Sequence, residues 1–115
     1  MFVGHIDQLE EIPVSSPNAE NAFKKLLIGP AEGWDGWVMR LFTLRDEGNT
    51  PRHSHEWPHI NYVISGRGSL YLEGKDYPLR KGSIAFVPPG AEHQFRTLGN
   101  EDLIFICIVP EKGNV

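Results

Sequence analysis

Four of the chain's five histidines fall at His53, His55, His59 and His93, inside or beside strand-like stretches punctuated by glycine and proline. Imidazole offers a neutral nitrogen donor suited to first-row transition metals, so a convergent set argues for manganese, iron, nickel, copper or zinc rather than calcium. Residues two apart on a strand point to the same side; His53 and His55 are therefore expected to project together while Ser54 faces away. Glu56-Trp57-Pro58 follows, and the proline predicts a tight bend that carries His59 onto the next strand. His93 comes just after Pro88-Pro89-Gly90 and must arrive from a different strand. A lone histidine is more often a hydrogen-bonded structural residue than a ligand. Four donors from two distant regions cost chain order to assemble, which favours the metal reading. His5 stands near the N-terminus without partners and takes the structural reading.

The elements that must position these rings are short. Strands are predicted at Phe23 to Ile28, Trp37 to Leu44, His59 to Ser65, Ser69 to Glu73, Asp76 to Leu79, Ser83 to Val87, Glu92 to Thr97 and Asp102 to Val109. Gly74-Lys75 reads as a two-residue hairpin connection. Residues 1–22 mix polar and acidic positions with Pro13 and Pro17, which predicts an extended arm that needs something to lie against. Residues 23–115 then form one domain. No stretch carries helical periodicity over ten residues, and no repeat or low-complexity tract is present. Many short strands between glycine and proline turns predict an antiparallel sandwich or barrel, with the ligands inside it.

Length and composition narrow the function classes. The 115 residues suffice for one hydrophobic core, and 40% hydrophobic with 23% charged residues is ordinary for a folded soluble domain. A formal charge of −4 gives no reason to expect nucleic acid as a partner. The single cysteine, Cys107, rules out an internal disulfide framework and fits a reducing, cytoplasmic setting. The opening MFVGHIDQLEEIP lacks a secretory pattern, and no apolar run approaches a membrane span, so no membrane role is expected.

At this point two stretches resemble a known family. Gly48, His53-x-His55, His59 and Gly66 look like the first cupin motif, with His59 where the family carries an acidic ligand. Gly82, Pro88-x-Gly90 and His93 resemble the second, with Thr97 where asparagine is usual. The gap between Gly48 and His53 is one residue shorter than the common form. With histidine in the acidic position, the chain is similar to small single-domain cupins with an all-histidine site, among them a manganese-containing one from a thermophile. The resemblance covers about residues 36 to 110. It implies an all-β antiparallel jelly-roll barrel, the double-stranded β-helix, often assembled as a homodimer. The arm of residues 1–22 would then suit strand exchange between partners.

A site of four neutral imidazoles leaves a divalent ion's double charge in place and should favour a small anionic ligand, a carboxylate, enolate or peroxide. Six-coordinate geometry leaves two open positions; a four-coordinate zinc would be closed and structural. Manganese or iron is expected ahead of nickel, copper or zinc. Strand alternation nominates the pocket wall: Phe95 and Thr97 share a side with His93, Asn61 and Val63 with His59, and Phe105 with Cys107. The resemblance turns that last face toward the metal. Asn61 reads either as a hydrogen-bonded interior residue or as a substrate contact, Cys107 as a small buried hydrophobe or a functional thiol. Arg40 interrupts the apolar strand from Val38 to Phe42 and points either inward to an anion or out to solvent. Trp34, Trp37 and Trp57 read as packing or interface residues. Glu56 and Glu92 flank ligands but alternate away from them, so no clear general base is expected. The leading functional expectation is a metal-dependent oxidoreductase of the dioxygenase kind, acting on a small anionic or enol-type molecule. A non-catalytic small-molecule or metal-binding module and a metal-dependent isomerase or decarboxylase are the alternatives.

Overall fold

The computed structural model describes residues 1–114. Those residues form nine strands: β1 (Ile12–Pro13), β2 (Glu20–Ile28), β3 (Trp37–Asn49), β4 (His59–Ser65), β5 (Arg67–Leu72), β6 (Lys75–Arg80), β7 (Ile84–Val87), β8 (His93–Thr97) and β9 (Leu103–Pro110). The helical content of the described residues is three single 3-10 turns. Every pairing is antiparallel, and the strand order is β6-β5-β8-β3-β9-β4-β7, with β2 on β3 and β1 on β2. The sheet curls on itself into the all-β jelly-roll barrel that the strand pattern and the motifs led us to expect.

β3 is the strand that closes it. Trp37 to Leu44 pairs with Pro110 to Leu103 of β9, whereas Asn49 at the far end pairs with Arg96 of β8. The switch is made at Asp46 and Glu47, both in the left-handed region with φ of 46° and 60°. The sequence pattern ends this strand at Leu44; the chain instead turns the corner and stays paired to Asn49, because β2 follows it round with a register jump between Glu20 and Ala22. Gly48 sits where the backbones converge: a Cβ there would lie 2.5 Å from the Glu20 carbonyl oxygen and 2.7 Å from those of Arg45 and Asn21. Only glycine fits that approach.

The arm lies against its own chain. Ile12 pairs with Lys24 and Pro13 with Phe23, Lys25 Nζ donates to the Ile6 carbonyl at 2.9 Å, and the Arg45 guanidinium grips both Glu11 oxygens at 2.8 and 2.9 Å.

Alternation sorts the faces as expected. Val63, Phe95, Leu103, Phe105 and Val109 are buried in the core. Phe105 stacks between Phe95 and Phe42, with ring centroids 4.3 and 5.4 Å away. Burying each such ring contributes roughly 1.5–3 kcal/mol. This aromatic stack is the floor beneath the histidines: His59 and Phe95 lie 6.3 Å apart, centroid to centroid.

Candidate metal centre

The histidine-bearing loop is tied to β8 before the first ring appears. Thr50 holds the Phe95 backbone through two hydrogen bonds, its N–H donating to the Phe95 carbonyl and its side-chain Oγ1 accepting from the Phe95 N–H, both at 2.9 Å. His53 and His93 then form a reciprocal bridge, with N–H to carbonyl distances of 3.1 and 2.9 Å. His53 and His55 thus lie on a loop joined to β8 by one bridge, where a strand was expected. Their rings still converge, with centroids 5.1 Å apart. Gly90 holds the other end of the loop: in a left-handed turn (φ 80°), it donates its N–H to the His55 carbonyl at 2.7 Å. The two motifs clasp each other through their backbones.

One ring nitrogen from each of His53, His55 and His93 lies within 4.8 Å of the others. His59, on β4, stands outside that mutual triplet but faces His93, with Nε2 to Nε2 3.1 Å. Three of the rings have their tautomer set by a partner. His55 Nδ1 donates to the Trp57 carbonyl at 2.7 Å, His93 Nδ1 to the Ala91 carbonyl at 2.9 Å and His59 Nδ1 to Asn61 Oδ1 at 2.7 Å. Asn61 is itself oriented, because its Nδ2 donates to the Ile106 carbonyl at 3.3 Å. Each neutral ring therefore turns an unprotonated Nε2 toward the others.

Two imidazole lone pairs facing each other at 3.1 Å repel unless a cation sits beside them. A proton is disfavoured: burial, with the neighbouring rings, pushes His59 from its ordinary 6.5 down to about 3, and burial pushes His93 down to about 4. His53 and His55 are lowered as well, again chiefly by burial. A divalent metal bound at about 2.1 Å by each nitrogen places ligands on adjacent octahedral positions about 3 Å apart. The donor chemistry and this spacing both fit a transition metal.

The rings open into a cavity of about 670 Å³. Phe42, Phe95 and Phe105 wall it, and Arg40, Cys107 and Lys24 stand in the same wall. No Asp or Glu among the described residues lines it. Glu92 is turned out to the Tyr71 hydroxyl at 3.1 Å, and Glu56 lies 3.8 Å from Lys112 on the surface. Of the nominated pocket residues, Arg40, Phe95, Phe105 and Cys107 reach the cavity. Arg40 points inward, 7% exposed, and donates from Nη2 to Cys107 Sγ at 3.3 Å. Burial raises the Cys107 thiol above its ordinary value, so sulphur stays protonated. Asn61 sits behind His59 as its hydrogen-bond partner and is not among the residues that line this cavity.

Sequence reasoning missed four contributors. Trp57, read as packing, stacks on His55 at 4.6 Å with planes 7° apart and fixes the orientation of that ring. Lys24 enters the wall because β2 pairs it with Phe42, and its ammonium is destabilised by burial and by Arg40. Ile12 and Val14 of the arm close the rim. The first had a signal in the His-x-Trp spacing. The others depend on strand register, which no local pattern carries.

Comparison with known proteins agrees with this geometry. Residues 40–109 match the family described as Cupin domain. The polyketide cyclase RemF from Streptomyces resistomycificus superimposes with a TM-score of 0.90 at 30% identity, covering 96% of this chain and 79% of that one. The oxalate-binding protein of Thermotoga maritima is 34% identical over 58 residues, 50% of this chain and 48% of that protein. The polyketide synthase CurC from Streptomyces cyaneus is 29% identical over 80 residues, 69% of this chain and 52% of that protein. The chain thus spans about half the length of these two curated relatives. Both motifs, the barrel and the histidine cluster they build are those of one family, and the chain belongs to the cupins.

Proposed function

We propose that this chain is a metal-dependent enzyme acting on a small, anionic, enolisable carbonyl compound. The reaction we favour is an intramolecular condensation that closes a ring. The observation that carries the reading is the set of Nε2 atoms with fixed tautomers, directed into an aromatic-walled cavity free of acidic side chains among the described residues. His53, His55, His59 and His93 would hold the ion, with manganese or iron favoured over nickel, copper or zinc. When bound, the metal supplies Lewis-acid polarisation of a carbonyl oxygen and stabilises negative charge developing there.

The chain's own residues supply the rest. Phe42, Phe95 and Phe105 hold a planar, partly conjugated body and keep water from it. Lys24, made easier to deprotonate by burial, stands in the wall as a proton acceptor for an acidic C–H between two carbonyls. In the balanced reaction one C–H proton leaves as the carbon–carbon bond forms to a second carbonyl carbon, a second proton leaves the same carbon as the double bond forms, and the carbonyl oxygen departs with two protons as water; no oxidant is consumed. The likeness to RemF, named as a polyketide cyclase, supports this choice. The likeness to an oxalate-binding protein supports a small anion.

The all-histidine donor set, suited to redox-active manganese or iron, favours a second reading, an oxygenase, in which dioxygen is the oxidant. One experiment separates the readings. Protein purified without chelator is assayed for metal and incubated with 3,5,7-trioxooctanoate, whose C2 can close a six-membered ring onto its C7 carbonyl, in air and under argon. Ring product formed equally in both, lost with EDTA and restored by one metal, is the expected result. Consumption in air alone makes the protein an oxygenase. Metal-dependent binding without conversion makes it a non-catalytic module.

The same reading includes a homodimer in a reducing, cytoplasmic compartment. The outer face of β4 and β7 leaves Ile60, Tyr62, Ile84 and Phe86 exposed, an apolar surface that a second copy would cover. Exchange of residues 1–22 between copies belongs to this proposal. Sedimentation of the whole chain and of a truncation lacking those residues tests it, with a dimer converted to monomer as the expected result.

A further inference from the structure

Arg40 carries a charge that its surroundings leave without a counter-ion. The ion-paired arginines of the described chain lie toward the surface: Arg45 grips Glu11 through two bonds, and Arg96 lies 3.4 Å from Asp76. Arg40 is buried, yet no carboxylate among the described residues pairs with it. Its neighbours are the Cys107 sulphur, 3.3 Å from Nη2, and the Phe42 ring, whose centroid is 4.9 Å from the guanidinium carbon. Nε is sealed from solvent and has no hydrogen-bond partner. A thiol sulphur is a weak acceptor and an aromatic face a weak counter-ion, so both orient the fork without neutralising it.

A guanidinium desolvated in this way is costly unless an anion completes it. The acceptor that matches its planar fork is a carboxylate, bound through two parallel N–H···O bonds. The cavity wall contains Arg40, and its charge is felt at His53, His55 and His59, which places it on the same chamber as the rings.

We propose that Arg40 is the carboxylate receptor of this cavity, held in position by Cys107 and Phe42, so that the substrate is a carboxylic acid anchored at Arg40 with its reacting carbonyl at the histidines. The anchor itself stands on the burial of Arg40, its lack of a carboxylate partner and its unpartnered Nε; only the placement of the second carbonyl rests on the function proposed above. The aromatic stack between the two ends selects a flat, unsaturated body over a flexible aliphatic one. Among acids of equal charge, one with a conjugated spacer is held best.

Calorimetry with 2-naphthoate and its neutral analogue 2-naphthamide tests this on the full chain, both EDTA-treated and manganese-loaded. The wild-type protein is expected to bind the acid at least tenfold tighter than the amide in both forms. Arg40→Gln is expected to bring that ratio near one while the metal content stays unchanged, and Arg40→Lys, which keeps charge but loses the fork, to lower it several-fold. A tenfold preference that survives Arg40→Gln, or equal binding of acid and amide by wild-type protein, overturns the proposal. So does a preference that disappears with the metal, since the ion would then be reading the charge. If Arg40→Gln does not fold, the Arg40→Lys ratio decides, and a ratio equal to wild type counts against the anchor. A chain that prefers the acid but takes up no metal keeps the anchor and sinks the enzyme reading, so the two failures are distinguishable.

Discussion

Inside the barrel, β4 presents His59, Asn61 and Val63 at 5%, 6% and 2% exposure, while on its outer side Ile60, Tyr62 and Ile64 are 50%, 49% and 37% exposed. β7 shows the same inversion, with Ile84 79% exposed and Val87 fully buried. A slip of one residue would turn each apolar outer set inward and put the rings in water. Apolar content therefore does not set this register. Interlocking does: β4 is held on both edges, by Val87 to Ile84 of β7 and by β9, and its inward polar atoms are satisfied by His59–Asn61 and Asn61–Ile106 hydrogen bonds. The inner face is specified by directed bonds, whereas Ile60, Tyr62 and Ile64 on the outer face stand exposed without them.

The inner face is most sensitive at the four histidines. His59→Ala or His93→Ala is expected to reduce metal content to near zero while the barrel persists, because apolar burial below carries the fold. Elemental analysis with circular dichroism checks this, and unchanged stoichiometry in both variants would refute the assignment. One layer down, Phe105→Ala removes the middle ring of the stack and is expected to cost about 3–5 kcal/mol. A urea titration that finds less than about 1 kcal/mol would show that the aromatic stack does not hold the inner face together.

Asn61→Leu keeps the volume but frees the His59 ring, and metal affinity is expected to fall about 10–100-fold with little change in folding. Competition against a chelating dye reads that number; wild-type affinity would remove Asn61 from the site. Acid also acts on the inner face. The folded state holds His59 at about 3 and His93 at about 4, against 6.5 when unfolded, so the unfolded chain binds more protons in between. Stability of the metal-free protein is expected in full above about pH 6.5 and to decline as pH falls toward those lowered values. His59→Ala should flatten the decline, and identical slopes in the two proteins would exclude this origin. On the outer face, Ile84→Ser is expected to change monomer stability by less than about 0.5 kcal/mol. A larger loss in dilute protein would mean that face packs within the chain.

Much of this was legible in the residues. Period-two alternation is local, so the shared sides His93/Phe95/Thr97, His59/Asn61/Val63 and Phe105/Cys107 were readable before any strand had a partner, while the inward direction of the last came from the resemblance. Pro88-Pro89-Gly90 and Glu56-Trp57-Pro58 marked the turns that deliver His93 and His59, because proline and glycine act on their own backbone. The corner at Asp46–Glu47 was not readable. Two non-glycine residues with positive φ are tolerated there only because β2 and β8 converge on β3.

What the chain by itself determined is which residue types face the interior and where the backbone must turn, since both follow from short-range sterics and spacing. Tertiary closure alone decided which of those inward residues meet. The His53–His93 bridge, the opposed Nε2 atoms of His59 and His93, the entry of Lys24 beside Phe42 and the burial of Arg40 against Cys107 all depend on the register of strands far apart in sequence. Register is a property of the closed sheet, because each pairing is stabilised only when its neighbours are already in place.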